Sequence, residues 1–207
     1  MMDMTGNSMP KKNSARLRMI VGISGASGAI YGIRMLQTLR ELQFETHLVM
    51  SKSAQVTLAH ETEFSMAEVK AMTDFWYPNT DIGAAISSGS FTTMGMVVAP
   101  CSIKTLSEIA TGVTSSLLSR AADVMLKERK RLVLMVRETP LHLGHLRSMV
   151  AATEAGAIVY PPVPAFYAKP GTLEEMVGHS IGRVLDLFGL ESNMVRRWNP
   201  RGMTAET

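Results

Sequence analysis

The residues best placed to do chemistry begin with GISGASGAIYG, residues 22–32, a knot of glycines and small hydroxyls between an apolar run and a stretch of helical spacing. Glycine lets a backbone turn sharply and approach a ligand closely. The helix that follows offers unpaired N–H groups and the positive end of its dipole, so the turn suits an anion or the polar edge of a ring. A bare strand-to-helix connection would use the same residues. The spacing is not GxGxxG, and the next apolar run ends in Ser51-Lys52 where a dinucleotide ribose would want an acid. No Lys-Ser or Lys-Thr follows the last glycine, which disfavours a nucleotide P-loop as well.

Charged residues come next. In RAADVMLKERK, Arg120 and Lys127 stand seven apart and share a helix face with Asp123 between them. Taken alone, that pattern reads as a solvated ion ladder. Arg137-Glu138 differs, because two charges at the end of the apolar run LVLMV seldom sit there for packing. A carboxylic acid beside an arginine could relay a proton there, or the pair could be a salt bridge anchoring the next loop. His142 and His145 lack a carboxylate or cysteine at ligand spacing and do not make a metal site. Cys101, the single cysteine, reads as a buried thiol rather than a nucleophile. No DDxxD motif is present to clamp a magnesium diphosphate, so any allylic phosphate would need a pocket of cations instead.

The elements that position these residues follow from length and periodicity. A chain of 207 residues, 46% hydrophobic and 19% charged, suits one well-buried domain. Its net charge of +3 is interspersed, and the one dense cluster, Lys127 to Arg131, falls at a helix C-terminus where it complements the dipole. Nucleic acid is not an expected partner. Glycines and serines interrupt the apolar stretch after Arg18, arguing against a secretory signal, and no window approaches the roughly 20 apolar residues of a membrane span. Together with the lone cysteine, this makes the cytoplasm the expected address.

Residues 1–17 lack periodicity and read as a loose, disordered tail before a domain over 18–190 and a C-terminal arm over 191–207. Strands are expected at 19–24, 44–50, 94–99, 132–136 and 157–160, with Pro100 stopping the third. Helices are expected from Ala29, from Ser51 to His60 with Ser51 as cap, from Ile103, and over 115–130, 143–155 and 172–188. Residues 74–93 read as a loop-rich insert. The alternation predicts an α/β fold, a Rossmann-like (flavodoxin-like) three-layer parallel sheet with helices on both faces. Ligands of such sheets bind beyond the carboxyl ends of the strands. That places the turn at 24–28, Ser51-Lys52, residues 100–105 and Arg137-Glu138 together.

GISGASGAIYG, ETHLVMSK, ISSGSF, APCSIKTL, RAADVMLKER, LVLMVRETPLHLGHLRSM, PPVPAFY and the terminal RRW occur in this order from about Met19 to Trp198. As a set they closely resemble the UbiX-type flavin prenyltransferases. The resemblance implies an enzyme that joins a dimethylallyl group from dimethylallyl phosphate to N5 and C6 of reduced FMN, without a metal. The prenylated FMN so made would serve a UbiD-type decarboxylase, in many bacteria for ubiquinone synthesis. It also implies a dodecamer with active sites at subunit interfaces.

Carried onto this chain, the flavin contacts fall on Gly25, Ala26, Ser27, Ser51, Ser102, Ile103, Lys104, Thr105 and Arg137. The prenyl-phosphate pocket falls on Arg120, Lys127, Glu138, Tyr167 and Arg183, with Ser27 and Glu61 beside the flavin chemistry and Trp198 closing the site. Two other readings stay open: a flavin carrier without chemistry, and a cysteine-type FMN-dependent decarboxylase, whose PxMNxxMW segment this chain lacks.

Overall fold

The computed structural model describes residues 16–199. Most of the expected tail (1–15) and the end of the expected arm (200–207) lie outside the described residues. Arg16, at the edge of that tail, is anchored: its guanidinium donates to Asp74 at 2.7 Å and to the carbonyls of Gln43 and Phe44.

Six strands, β1 (Arg18–Ile23), β2 (Glu45–Met50), β3 (Phe75–Pro78), β4 (Gly95–Cys101), β5 (Arg131–Val136) and β6 (Ile158–Val159), form one sheet in the order β3-β2-β1-β4-β5-β6. Every pairing is parallel, so each crossover must pass over a face and bring a helix with it. The helices are α1 (Ala29–Glu41), α2 (Lys52–Glu61), α3 (Met66–Ala71), α4 (Ile103–Thr111), α5 (Leu117–Lys127), α6 (Leu143–Glu154) and α7 (Leu173–Asp186). One apolar cluster joins α1, α2, α3 and α7 to the sheet, and a second joins α4, α5 and α6 to its other face. This is the expected flavodoxin-like α/β architecture. Sheet growth reverses between β1 and β4, the place where such sheets open a crevice.

The structure departs from the expected elements in four places. The loop-rich segment 74–93 contains β3, which extends the sheet beside β2 from His47↔Phe75 to Met50↔Pro78. Its FWY triplet favours a pleated surface, and Asp74 stitches it in by accepting the Thr46 N–H at 2.8 Å. β4 continues through Pro100 to Cys101, with the ladder irregular between Val98 and Cys101. Proline removes a donor, but its carbonyl still accepts. α3 was not expected; it is short and set by a capping box between Ser65 and Glu68. α5 ends at Lys127 rather than Lys130 because Arg129 turns into the left-handed region at φ 54°. Among the described residues, no helix is long and apolar enough to cross a membrane.

The seat of α1 on the sheet is close. A Cβ built on Gly32 would stand 2.5 Å from the Ala99 carbonyl oxygen and 2.5 Å from Ile23 Cδ1. No side chain fits without lifting the helix, and lifting it would move the Gly25–Gly28 turn at its head. Gly32→Ala should therefore lose about 1–3 kcal/mol of stability to overpacking. An unchanged denaturant midpoint would show that the helix can rise at no cost.

Candidate functional site

Ser24, the residue after β1, is 1% exposed and closes the switch point. Its N–H and its hydroxyl both donate to the Pro100 carbonyl, at 3.1 and 3.0 Å, while its Oγ accepts the Ser102 N–H at 2.7 Å. The carboxyl ends of β1 and β4 are thus tied together by a fully used side chain. Beyond this tie, the chain turns through Gly25, Ala26 and Ser27. A Cβ at Gly25 would meet Ser53 Oγ at 2.2 Å, so only glycine lets the turn lie against the start of α2.

Gly28 precedes α1 at φ 103° and has no side chain with which to cap it. Glu61, the last residue of α2, does so from outside: its Oε2 accepts the Gly28 N–H at 2.7 Å and the Ala29 N–H at 3.1 Å. Burial opposes ionisation of Glu61. Hydrogen bonds from the Ser27 hydroxyl and these two N–H groups, together with the charge of Arg137, outweigh it and hold the carboxyl below its usual range. The expectation that α1 offers free N–H groups to a ligand is narrowed here, because a carboxylate of the chain already takes those of Gly28 and Ala29.

Two other helix starts face the same end of the sheet. Ser51 Oγ accepts the Ala54 N–H at 3.0 Å and lies 3.0 Å from Ser53 Oγ. Ser102 Oγ accepts the Thr105 N–H at 3.4 Å and donates to Thr105 Oγ1 at 3.2 Å. Each cap satisfies one donor, and helix geometry leaves the first N–H groups of α2 and α4 without intrahelical acceptors, those of Ile103 and Lys104 among them. The Lys104 ammonium points outward, 84% exposed and 3.5 Å from Glu108. A phosphate monoester fits this pair of helix starts and hydroxyls better than it fits α1.

Arg137 follows β5, its N–H held by the Cys101 carbonyl at 3.0 Å. Its charge reaches Glu61 and also Tyr31, a phenol pushed up by burial and partly restored by Arg137 and a hydrogen bond with Ser180 on α7. Tyr160, beyond β6, is likewise raised by burial, with Arg183 opposing. Tyr31 and Tyr160 therefore join the switch-point cradle to α7. Neither was singled out from sequence, although Tyr31 stands one helical turn past Gly28. Glu138 accepts the N–H of its neighbour Thr139 at 3.0 Å.

On the α7 side, the Tyr167 hydroxyl lies 3.5 Å from His179 Nε2, and its ring meets Trp198 edge-on at 5.5 Å. Arg183 donates to Asp186 at 2.6 Å. A cavity of about 700 Å³ opens beside this group, lined by Lys169, Glu175, His179, Met194 and Arg196. It lies under the C-terminal arm and does not include Ser27 or Arg137.

Lys127 is not brought to the cradle within one chain. α5 starts where Asn79, just past the carboxyl end of β3, accepts the Leu117 and Leu118 N–H groups at 2.8 and 3.0 Å. It runs against the strand direction and finishes at Lys127, shortly before Arg131 opens β5. The ammonium therefore stands at the amino ends of the strands, a strand length of about 20 Å from the turn. There it pairs with Glu128 and lies under Gly89, whose Cβ would be 2.7 Å from Nζ, with Ser88 and Ser90 flanking. Arg120, one turn into α5, pairs with Asp123 at 2.7 Å.

Among the described residues, no three His, Cys, Asp or Glu side chains gather as metal ligands. The His142 and His145 ring centroids lie 3.5 Å apart with the rings tilted by 34°, and His142 Nδ1 caps α6 by accepting the Gly144 N–H. Cys101 is fully buried, its thiol pushed up by desolvation.

Residues 7–168 match the Flavoprotein family model. The flavin prenyltransferase UbiX of Escherichia coli K12 is 59% identical over 184 residues, covering 87% of this chain and 97% of that protein. A probable UbiX-like flavin prenyltransferase of Bacillus subtilis is 52% identical, covering 91% and 93%. The crystal structure of AnUbiX (PadA1) in complex with FMN and dimethylallyl pyrophosphate superposes with a TM-score of 0.88 at 51% identity, covering 89% of this chain and 98% of that one. A dodecameric FMN-dependent Ubix-like decarboxylase from Escherichia coli O157:H7 gives 0.86 at 50% identity, covering 88% and 100%. The peptidyl-cysteine decarboxylase EpiD, at 16% identity and 0.61, shares the fold alone. By its sequence, its sheet order and the residues gathered at the switch point, this chain belongs to the UbiX family of flavin prenyltransferases.

Proposed function

We propose that this protein joins a dimethylallyl group from dimethylallyl phosphate to N5 and C6 of reduced FMN, and that the prenylated FMN passes to a UbiD-type decarboxylase in the cytoplasm. The observation that carries this reading is the Ser27–Glu61–Arg137 constellation at the switch point, where a buried tie holds the crevice open beside two hydroxyl-capped helix starts. When bound, the reduced flavin supplies the electron-rich N5 and C6 atoms. Ser51, Ser102, Thr105 and the first N–H groups of α2 and α4 hold its phosphate. Gly25, Ala26 and Ser27 let the backbone approach the ring edge, and Arg137 fixes its orientation.

The remaining roles follow from where charge develops. Loss of an allylic phosphate leaves an anion, and arranged cations lower the cost of forming it. Arg183 and the Tyr167 hydroxyl stand on the α7 side for that purpose, with Glu138 able to give a proton to the departing phosphate. Glu61, ionised and fixed by the Ser27 hydroxyl and two backbone N–H groups, can take a proton from the ring region. The aromatic face of Trp198 can steady a developing allyl cation.

Lys127 completes the anion pocket from another copy of the chain, whereas Arg120, in the first turn of α5, stands toward the carboxyl ends of its own sheet. A strand length separates Lys127 from the cradle of its own chain, so only an assembly can unite them. Exposure agrees: Tyr167 is 42% and Trp198 68% exposed in the single chain, too open for chemistry that must exclude water. A dodecamer like that of the Escherichia coli O157:H7 relative provides the cover.

The test is anaerobic incubation with reduced FMN and dimethylallyl phosphate or, in parallel, the pyrophosphate, followed by mass spectrometry of the flavin. One added five-carbon unit is expected; unchanged flavin with both donors would leave a carrier. Lys127→Ala should lower turnover about 10²–10³-fold while FMN retention stays within about twofold. Parallel loss of both would contradict the separation of the two pockets.

Glu61 also makes stability depend on pH. Its folded pKa is depressed, so its contribution is fully present above the unfolded value of about 4.3 and is lost as pH falls through the folded one. Because the side chain is exposed, solvent screening limits that contribution to about 0.5–1 kcal/mol. Glu61→Gln should be less stable than the parent by this amount at pH 7, with the gap closing below about pH 4. A gap that persists unchanged at low pH would show that the carboxylate charge plays no part in capping α1.

A further inference from the structure

Asp186, the last residue of α7, serves two guanidiniums that belong to different parts of the chain. Arg183, one turn earlier, donates to Oδ2 at 2.6 Å. Arg197, from the C-terminal arm, grips the same carboxylate in a fork, to Oδ2 at 3.0 Å and to Oδ1 at 2.9 Å. The carboxylate is 15% exposed, and the two arginines hold it well into its ionised range. A forked pair on a mostly buried carboxylate is stronger and more directional than an ordinary surface ion pair.

The arm is laid down along α7 to reach this point. Met194 packs over Gly178, where a Cβ would stand 3.5 Å from its sulfur. Val195 and Ser192 fill the space over Gly182, where a Cβ would meet them at 2.5 and 2.7 Å. Arg196 donates to the Ala168 carbonyl at 3.3 Å, and Trp198 rests on the Tyr167 ring. Arg197 is thus the ionic tether of an arm that ends on Tyr167.

We propose that Asp186 is a positioning residue that ties the donor-phosphate arginine and the C-terminal arm to one carboxylate, so that arm docking and donor binding strengthen each other. This rests on the reading of Arg183 and Tyr167 given above. One N–H of Arg183 is taken by Asp186, which fixes the guanidinium while leaving its other donors for phosphate. Arg197 neutralises the remaining charge of that carboxylate, which would otherwise repel an incoming anion. Reciprocity then requires that donor binding protect the arm by the same factor that the docked arm improves donor binding.

The experiment uses the FMN-loaded assembly and reads two quantities: backbone hydrogen exchange over residues 191–199, with and without dimethylallyl phosphate, and the KM and kcat for that donor. In the parent, the donor should slow exchange of the arm. Asp186→Asn and Arg197→Gln should each speed that exchange at least tenfold and abolish the protection by donor. Both should raise the donor KM about tenfold with FMN affinity within twofold, and Asp186→Glu should recover part of the loss. Faster arm exchange in Arg197→Gln at an unchanged donor KM would overturn the coupling. Unaltered exchange and KM in Asp186→Asn would reduce the triad to an ordinary surface ion pair. If the parent itself forms no prenylated FMN, the functional reading fails and the coupling falls with it. The exchange rate of Asp186→Asn without donor then still decides whether the carboxylate tethers the arm.

Discussion

The Glu61 carboxylate decides how the mouth of this fold can be used. A helix after a glycine turn presents a partial positive charge to whatever stands in front of it. In this chain, the end of α2 supplies that partner to α1. A carboxylate is thereby fixed at the edge of the turn, within reach of the charge of Arg137. A phosphate-binding loop would spend the α1 dipole on holding its ligand. Here it holds an acid of the chain itself. The buried Ser24 tie makes this possible by keeping the ends of β1 and β4 in register beneath the turn.

The charged groups are divided by the direction of the strands. Arg137 and Glu138 leave a strand at its carboxyl end, whereas Lys127 ends a helix that has returned to the amino ends. Parallel topology allows no other outcome, because every crossover helix reverses the direction of travel. On the proposed reading, an anion pocket that needs both groups would be built by apposing one end of a sheet to the opposite end of another.

Much of this was legible in the sequence, since apolar runs, helical spacing and Ser51 as a cap mark the alternation of elements without reference to tertiary structure. The parts that were not legible share a cause. β3 hides between turn residues and depends on Asp74 reaching Thr46, a contact 28 residues away. The capping of α1 by Glu61 spans 33 residues. Tyr31 and Tyr160 matter because burial and distant arginines act on their hydroxyls, which no local pattern encodes. In contrast, Arg183 and Asp186 form an i,i+3 pair visible in the chain, but the second guanidinium on that carboxylate is supplied only by the return of the arm.

That return leaves a mark on what α7 can become. Gly182 lies on a helix where alanine would ordinarily be the better residue, and its backbone has no need of glycine's freedom. The space above it is already taken by Val195 and Ser192. A change that improves the helix in isolation would evict the segment lying across it. Over generations the smallest residue should therefore persist at this spot for its neighbour's sake, and drift there would have to be matched by drift at Ser192 and Val195.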